Sequence, residues 1–258
     1  MAPPPRILVV QHLPDGPPDA HDHELATRRL PVTRVRLNEG DALPAWQEFD
    51  AIVATGGPMS AVDDARYPWL TGERTLIAEA VEAGTPFWGV CLGAQLLAVA
   101  LGGAVWQGPA PEAGMIEIEL TPATVSDPVF DCLPARLLSF AWHRDAMSLP
   151  HAATLLASTA AYPVQAFAYR RAYGVQFHLE ADPTVLEFWL ERATLVGPNT
   201  AMVAPAALPA IRRSLEQASP RAVACARKLL ARWLDLVVAP TQLTGSTVGS
   251  APTTEAPR

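Results

Sequence analysis

The pentapeptide Gly89-Val90-Cys91-Leu92-Gly93 follows the apolar run Pro86-Phe87-Trp88 and precedes apolar residues with helical spacing up to Leu101. This order predicts a strand, a sharp turn and a helix. The two glycines give the tight turn room, and such a turn strains the backbone of its central residue. We therefore expect Cys91 at the carboxyl edge of a sheet, where the helix N-terminus favours a thiolate and can hold an oxyanion. A buried structural cysteine is the alternative interpretation.

A thiolate nucleophile needs a base and a group that orients the base. Residues 173–180 form a short strand-like run that ends in His178 and Glu180. In an extended chain residues i and i+2 point to the same face, so these two side chains should be neighbours. The sequence therefore predicts a triad of Cys91, His178 and Glu180.

Two other residues compete for places in this triad. Asp182 could replace Glu180, but it precedes Pro183 and is better placed to cap the helix that starts there. His143 could replace His178 as the base. We rank His143 lower because the sequence shows no same-face carboxylate for it in a comparable strand-end setting.

Three separated motifs, in order along the chain, resemble the class I, triad-type glutamine amidotransferase domain. They are residues 56–60 (Gly-Gly-Pro-Met-Ser), 89–98 and 174–180 (Gly-Val-Gln-Phe-His-Leu-Glu). The chain is most similar to stand-alone members of that family that resemble the amidotransferase part of GMP synthase. The resemblance covers about residues 6–195.

The resemblance implies a role for each residue that matches a motif. Cys91 would attack the side-chain amide of glutamine, and His178 and Glu180 would complete the triad. The backbone N–H groups of Gly57 and Leu92 would form the oxyanion hole.

The resemblance also implies substrate-binding residues. Gln95 lies one helical turn beyond the cysteine and would help to hold the substrate. Gly56 lets the backbone approach a ligand closely. His143 belongs to the run Ala141-Trp142-His143-Arg144-Asp145, which resembles a Trp-His-x-Asp loop of the family, although the family commonly has glycine at position 144.

The apolar runs predict an α/β fold. Arg6–Gln11, Val32–Leu37, Ala51–Thr55 and Thr85–Val90 are separated by helix-length segments, which is typical of a mostly parallel central sheet flanked by helices. Shorter alternating runs between residues 104 and 177 predict added mixed or antiparallel strands. The family resemblance implies a flavodoxin-like core.

Helix boundaries follow from capping residues. A helix from Thr71 to Ala83 should be capped by Thr71 and ended by Gly84. The helix after Pro183 should end near Gly197. Residues 205–238 suggest two helices broken near Ser219-Pro220, with an apolar stripe that suits packing or a homodimer.

We therefore expect three parts: a class I glutamine amidotransferase domain at residues 1–195, a helical extension packed on it at 196–240, and a disordered tail at 241–258. The tail is rich in Thr, Ser, Gly and Pro.

Composition excludes several classes of function. The chain has 258 residues, of which 50% are hydrophobic and 17% charged, enough for one sizeable core. Its net charge of −7 argues against nucleic-acid binding. No basic helix, signal peptide or apolar run near the length of a membrane span is visible, so we expect no membrane association. Three cysteines without metal-type spacing favour a reducing cytoplasm over disulfides.

We expect neither a metal nor another cofactor. Residues 21–24 read His-Asp-His-Glu and could suggest a metal site, but a solvated loop entering a helix is the preferred interpretation.

The predicted function is hydrolysis of glutamine through a cysteine thioester, which gives glutamate and ammonia for transfer to an acceptor by a separate synthetase. The Ser-Gly-Gly-x-Asp-Ser motif of fused synthetases is absent from the sequence. The first alternative is a γ-glutamyl peptidase that needs no partner. The second is a non-catalytic binding relative.

Overall fold

The computed structural model describes residues 3–193 and 202–238. Within these residues nine strands form one sheet, in the order β2-β1-β3-β4-β9-β8-β7-β5-β6. The strands are β1 Ile7–Gln11, β2 Val32–Arg36, β3 Ala51–Ala54, β4 Phe87–Val90, β5 Val105–Leu120, β6 Arg136–Met147, β7 Thr154–Ser158, β8 Ala166–Tyr169 and β9 Ala172–Val175.

The sheet changes direction at β9. Strands β2, β1, β3, β4 and β9 are parallel neighbours, whereas β9, β8, β7, β5 and β6 pair antiparallel. Both the parallel core and the added antiparallel strands are therefore confirmed. The α-helices are α1 Ala20–Thr27, α2 Trp69–Glu82, α3 Leu92–Ala100, α4 Pro183–Ala193 and α5 Leu208–Trp233.

Strand β1 shows why the parallel strands are apolar throughout. Ile7 and Val9 belong to one hydrophobic cluster, and Leu8 and Val10 belong to another. Successive side chains of a strand point to opposite faces, so both faces of the sheet are buried. Because both faces of the sheet are buried, the polar groups of a ligand site lie beyond the carboxyl ends of β1, β3 and β4.

Strand β9 is shorter than the predicted run to Glu180. It ends at Val175, and the chain continues without regular pairing except for a bridge between His178 and Phe140 of β6. The backbone N–H of His178 donates to the Phe140 carbonyl at 2.7 Å. His178 therefore does not lie at the end of a regular strand, as expected. Its backbone is held by one hydrogen bond to β6.

The predicted cap of α2 is wrong. The helix begins at Trp69, and Pro68 precedes it without a capping side chain. The Thr71 hydroxyl lies within the helix and donates to Asp64 at 2.6 Å. A proline that already has helical φ can start a helix without a side-chain acceptor. Gly84 follows the helix with a φ of +87°, as expected of a residue that ends it.

The predicted break near Pro220 is also wrong. Helix α5 runs through Pro220 to Trp233 and continues as one wide turn at Leu234–Val238. Leu229, Leu230 and Trp233 are buried in the same cluster as Trp88 of β4. Burial of this stripe against the sheet offsets the helix hydrogen bond that proline cannot make.

Some expectations lie outside the described residues. The helix end near Gly197 and the tail at 241–258 are among them, and the division at residue 196 stays a prediction. Within residues 3–193 and 202–238, no helix has the length and apolarity needed to cross a bilayer.

Candidate active site

Cys91 stands on a strained turn between β4 and α3. Its φ of 52° and ψ of −105° are uncommon for a residue with a side chain. The Cys91 N–H donates to the Val175 carbonyl of β9 at 2.7 Å, and its carbonyl accepts from the Gln95 N–H at 3.0 Å. Such strain persists only where surrounding contacts fix the backbone, and it is concentrated at functional sites.

The two glycines of the turn allow α3 to lie directly on the sheet. A Cβ on Gly89 would come within 2.5 Å of the Gly93 carbonyl oxygen. A Cβ on Gly93 would overlap the carbonyl oxygen of Ala54 in β3. The predicted requirement for small residues at both positions is therefore a requirement for close backbone packing.

His178 and Glu180 form a buried pair beside Cys91. The His178 Nδ1 lies 2.6 Å from the Glu180 Oε1, and their side chains are 4% and 6% exposed. The Cys91 side chain is the other neighbour that acts on His178, and together with Glu180 it raises the pKa of the imidazole. Since Glu180 engages Nδ1, Nε2 is the nitrogen that faces the sulfur.

Charge governs the protonation of His178. Burial lowers the pKa of His178, but Glu180 and Cys91 raise it more, to about 10. The imidazole is therefore protonated at neutral pH. A cation beside a cysteine favours the thiolate form.

Trp189 of α4 fixes the orientation of the imidazole. Its ring meets the His178 ring edge-on, with centroids 4.7 Å apart. Asp182 accepts the backbone N–H of Val185 at 2.9 Å, which confirms its predicted role as the cap of α4. The helix that carries Trp189 is thus anchored two residues after Glu180.

Gly56 packs against both Cys91 and His178. A Cβ placed on Gly56 would be 3.5 Å from the Cys91 Cβ and 3.3 Å from the His178 Cε1. A Cβ on Gly57 would be 2.8 Å from the Leu92 Cδ2, so Gly57 abuts the first residue of α3. Within the described residues, the N–H groups of Gly57 and Leu92 donate no backbone hydrogen bond.

A cavity of about 1170 Å³ opens over these groups. Cys91, Gln95, His178 and Glu180 line it, and His143 reaches it from β6. It lies outside the carboxyl ends of the parallel strands, where ligands of open α/β sheets bind.

Comparison with known proteins shows the family to which this chain belongs. Residues 19–193 match the family Glutamine amidotransferase class-I. The chain belongs to that family.

Sequence relatives agree with this assignment. A glutamine amidotransferase-like protein of Salmonella typhimurium, YfeJ, is 38% identical over 165 residues, 62% of this chain and 69% of that protein. The GMP synthase of Streptomyces coelicolor is 35% identical over 157 residues, 58% of this chain. The aligned part is only 28% of that synthase.

Solved structures of family members have the same fold. A glutamine amidotransferase of Thermotoga maritima superposes with a TM-score of 0.78 at 27% identity, covering 89% of this chain and 98% of that one. One from Methylobacillus flagellatus gives 0.77 at 28% identity, covering 89% and 94%.

His143 has a carboxylate partner that the sequence did not reveal. His143 lies opposite Glu112 in the β5–β6 pair, and its Nε2 is 3.1 Å from the Glu112 Oε2. The two atoms are close but do not form an aligned hydrogen bond. This carboxylate comes from the neighbouring strand, and His143 lies inside β6 and not at a strand end, so the ranking of His143 below His178 stays a prediction. The expected loop around His143 is instead part of strand β6.

Gln176 is a site residue that the sequence interpretation missed. Its Nε2 donates to the Cys91 sulfur at 3.5 Å, and its Oε1 accepts from the Gln95 Nε2 at 3.1 Å. Gln95 therefore connects to the cysteine through Gln176. The available signal was that Gln176 lies two residues before His178. A glutamine does not by itself indicate a site residue in a sequence, so this signal was missed.

Residues 21–24 lie in helix α1 and not in a solvated loop. His21 and Glu24 are buried, and Asp19 caps the helix through the N–H groups of His21 and Asp22. Burial lowers the pKa of His21, but Asp19 and Glu180 raise it more, to about 9. No group of three metal-ligand side chains is found within residues 3–193 and 202–238.

Proposed function

We propose that this family member hydrolyses the side-chain amide of glutamine through a thioester on Cys91. The observation that carries the proposal is the strained cysteine, held beside a buried His178–Glu180 pair. A non-catalytic relative would have little use for a strained, charge-paired cysteine in a cavity.

In the acylation step the Cys91 thiolate attacks the amide carbon, and the carbonyl electrons move to oxygen. The N–H groups of Gly57 and Leu92 stabilise this oxyanion. When the intermediate collapses, the C–N bond breaks and the His178 imidazolium gives its Nε2 proton to the departing nitrogen. Ammonia leaves, and the γ-glutamyl group remains on sulfur.

In the deacylation step neutral His178 removes a proton from water, and the oxygen attacks the thioester. The second tetrahedral intermediate expels the thiolate, so glutamate is released and the Cys91–His178 ion pair is restored. Glu180 holds the ring through Nδ1 and stabilises its charge in both steps. Gln95, Gly56 and His143 hold the substrate in the cavity.

The released ammonia is used by a separate synthetase in this proposal. The GMP synthases that resemble this chain combine glutamine hydrolysis with synthesis, by their names. A GMP synthase component of Pyrococcus abyssi is 36% identical over 106 residues, covering 40% of this chain and 55% of that one. Its name describes it as one subunit of the synthase, which supports the two-chain arrangement. No metal or other cofactor takes part in the proposed hydrolysis.

The cavity favours a second candidate, a γ-glutamyl hydrolase that acts without a partner. Pockets for drug-sized ligands have volumes of roughly 300–1,000 Å³. The cavity of about 1170 Å³ is larger than glutamine requires and leaves room for a bulkier amine leaving group.

The test measures glutamate released by the purified chain from glutamine and from a γ-glutamyl dipeptide. We expect release by the wild type, none above background by Cys91→Ala, and an unchanged rate in the control Cys132→Ala. Equal rates in Cys91→Ala and the wild type would refute the proposal. A kcat/KM for the dipeptide more than about tenfold higher, or about 1.4 kcal/mol of transition-state binding, would select the second candidate.

A further inference from the structure

His12 and Glu73 form a fully buried ion pair behind the candidate active site. His12 follows β1, and its Nε2 lies 3.0 Å from both carboxylate oxygens of Glu73 in α2. Both side chains are 0% exposed. The Trp69 ring stacks on the imidazole with centroids 5.6 Å apart. The proposed reaction uses neither charge.

The hydrogen bonds define the protonation of His12. Its Nδ1 lies 2.9 Å from the Thr55 carbonyl oxygen, which can only accept, so Nδ1 carries a hydrogen. Its Nε2 faces a carboxylate and also donates. Burial lowers the pKa of His12, but Glu73 raises it more, so the pKa lies above its ordinary value. Both ring nitrogens of His12 therefore face hydrogen-bond acceptors, and Nδ1 is a fixed donor to Thr55.

A buried ion pair contributes little net stability to a fold. Apolar side chains of similar volume often stabilise a protein equally well or better, because two charges must be taken out of water. The pair of His12 and Glu73 therefore calls for a role that depends on its donors.

The Thr55 carbonyl joins three parts of the site. It accepts from the His12 Nδ1 and also from the Gly93 N–H at 3.2 Å. One oxygen thus connects the end of β1, the loop after β3 and the first turn of α3, two residues beyond Cys91.

The loop after Thr55 rests directly on His12. A Cβ on Gly57 would come within 2.7 Å of the His12 Cβ. The Gly56 backbone also interacts with the imidazole. His12 therefore contacts Thr55 and Gly56 through its ring and lies against Gly57 through its Cβ, and these are the residues that lead to the Gly57 N–H.

We propose that His12 is a positioning residue that holds the Thr55 carbonyl, and through it the Gly56-Gly57 backbone, so that the Gly57 N–H faces the oxyanion formed at Cys91. The inference rests on the proposed function, because it assumes an acyl transfer at this cysteine. A misplacement of about 1 Å in such a group can cost about 100-fold in rate.

Two double variants isolate the Thr55 contact. In His12→Asn, Glu73→Gln the asparagine amide occupies the place of Nδ1 and still donates to Thr55. In His12→Gln, Glu73→Gln the longer amide reaches the place of Nε2 and leaves Thr55 without its donor. Both remove the same charges, so they differ in one hydrogen bond.

We expect the glutamine variant at position 12 to lose about 100-fold in kcat for glutamate release, with KM within about threefold of the wild type. The asparagine variant should retain kcat within about tenfold. Alkylation of Cys91 by iodoacetamide forms no oxyanion, so its rate should be equal in all three proteins. A general structural defect would lower alkylation as well.

Equal kcat values in the two double variants, or alkylation rates that fall in parallel with kcat, would overturn the proposal. If the double variants do not fold, Glu73→Gln alone provides the test, because neutral His12 still donates from Nδ1. This variant should keep kcat within about tenfold, and a loss of about 100-fold with normal alkylation would also overturn the proposal. A wild type that is alkylated but releases no glutamate from either substrate would refute the proposed function itself.

Discussion

Replacing Cys91 by glycine should relieve backbone strain that replacing it by alanine keeps. Alanine keeps a Cβ at a φ of 52° and a ψ of −105°, whereas glycine populates positive φ without strain. Both variants lose the sulfur and its charge pairing with His178. The difference between them therefore reports the backbone strain at this position.

The expected magnitude follows from two opposing effects. At an ordinary buried helical position, alanine to glycine costs roughly 0.5–1 kcal/mol for the backbone and about 0.8 kcal/mol for the methyl group. A sparsely populated backbone conformation costs of order 1–3 kcal/mol, which glycine recovers. We therefore expect the stability of Cys91→Gly to lie between about 0.8 kcal/mol below and about 1.7 kcal/mol above that of Cys91→Ala, whereas without strain it would be roughly 1.5 kcal/mol lower.

Urea unfolding of the two variants measures this difference. Ala94→Gly provides the matched control, because Ala94 is fully buried in the same helix α3. The control should lose roughly 1.5 kcal/mol relative to the wild type. If Cys91→Gly is less stable than Cys91→Ala by a similar amount, the turn holds no strain and the argument from strain to function fails.

Two further predictions concern His178. Its folded pKa of about 10 lies above the ordinary 6.5, so its contribution to stability is complete below pH 6.5 and disappears as the pH rises through about 10. The unfolding free energy of the wild type should exceed that of His178→Gln more at about pH 6 than at about pH 10, as measured in urea. Separately, His178→Ala should abolish labelling of Cys91 by a glutamine-like chloroketone, and His143→Ala should not.

Each of these predictions has a clear opposing result. A stability difference that grows between the two pH values would mean that His178 is neutral in the folded protein. Loss of labelling in His143→Ala but not in His178→Ala would make the His143–Glu112 pair the base.

The turn around Cys91 was predictable because its signals are local. The two glycines, the apolar strand before them and the helix after them lie within about fifteen residues of sequence. The same applies to His178 and Glu180, which meet over two residues even though the strand predicted to carry them ends at Val175.

The contacts that were missed join residues far apart in sequence. His12 and Glu73 are separated by 61 positions, and Glu112 meets His143 only through the β5–β6 register. A single sequence contains no signal for such pairs, since each residue alone looks like an ordinary polar side chain. The contacts of Gln176 with Cys91 and Gln95 also span more than eighty residues, although its place beside His178 in the sequence was a local signal.

Local rules also failed where tertiary packing was stronger. Pro220 predicts the end of a helix, but the buried stripe after it keeps α5 continuous. Propensity describes an isolated segment, and burial of Trp233 against the sheet is a property of the whole molecule.

The position of β9 between β4 and β8 has a consequence for the newly synthesised protein. A ribosome that has released α3 has already exposed the cysteine turn, but the strand that binds the Cys91 N–H and the imidazole beside it lie about eighty residues later. The nascent chain therefore carries Cys91 before the strand and the imidazole that lie beside it in the folded protein. The Cys91 turn reaches its final contacts only when β9 inserts beside β4, so the candidate site is completed together with the sheet.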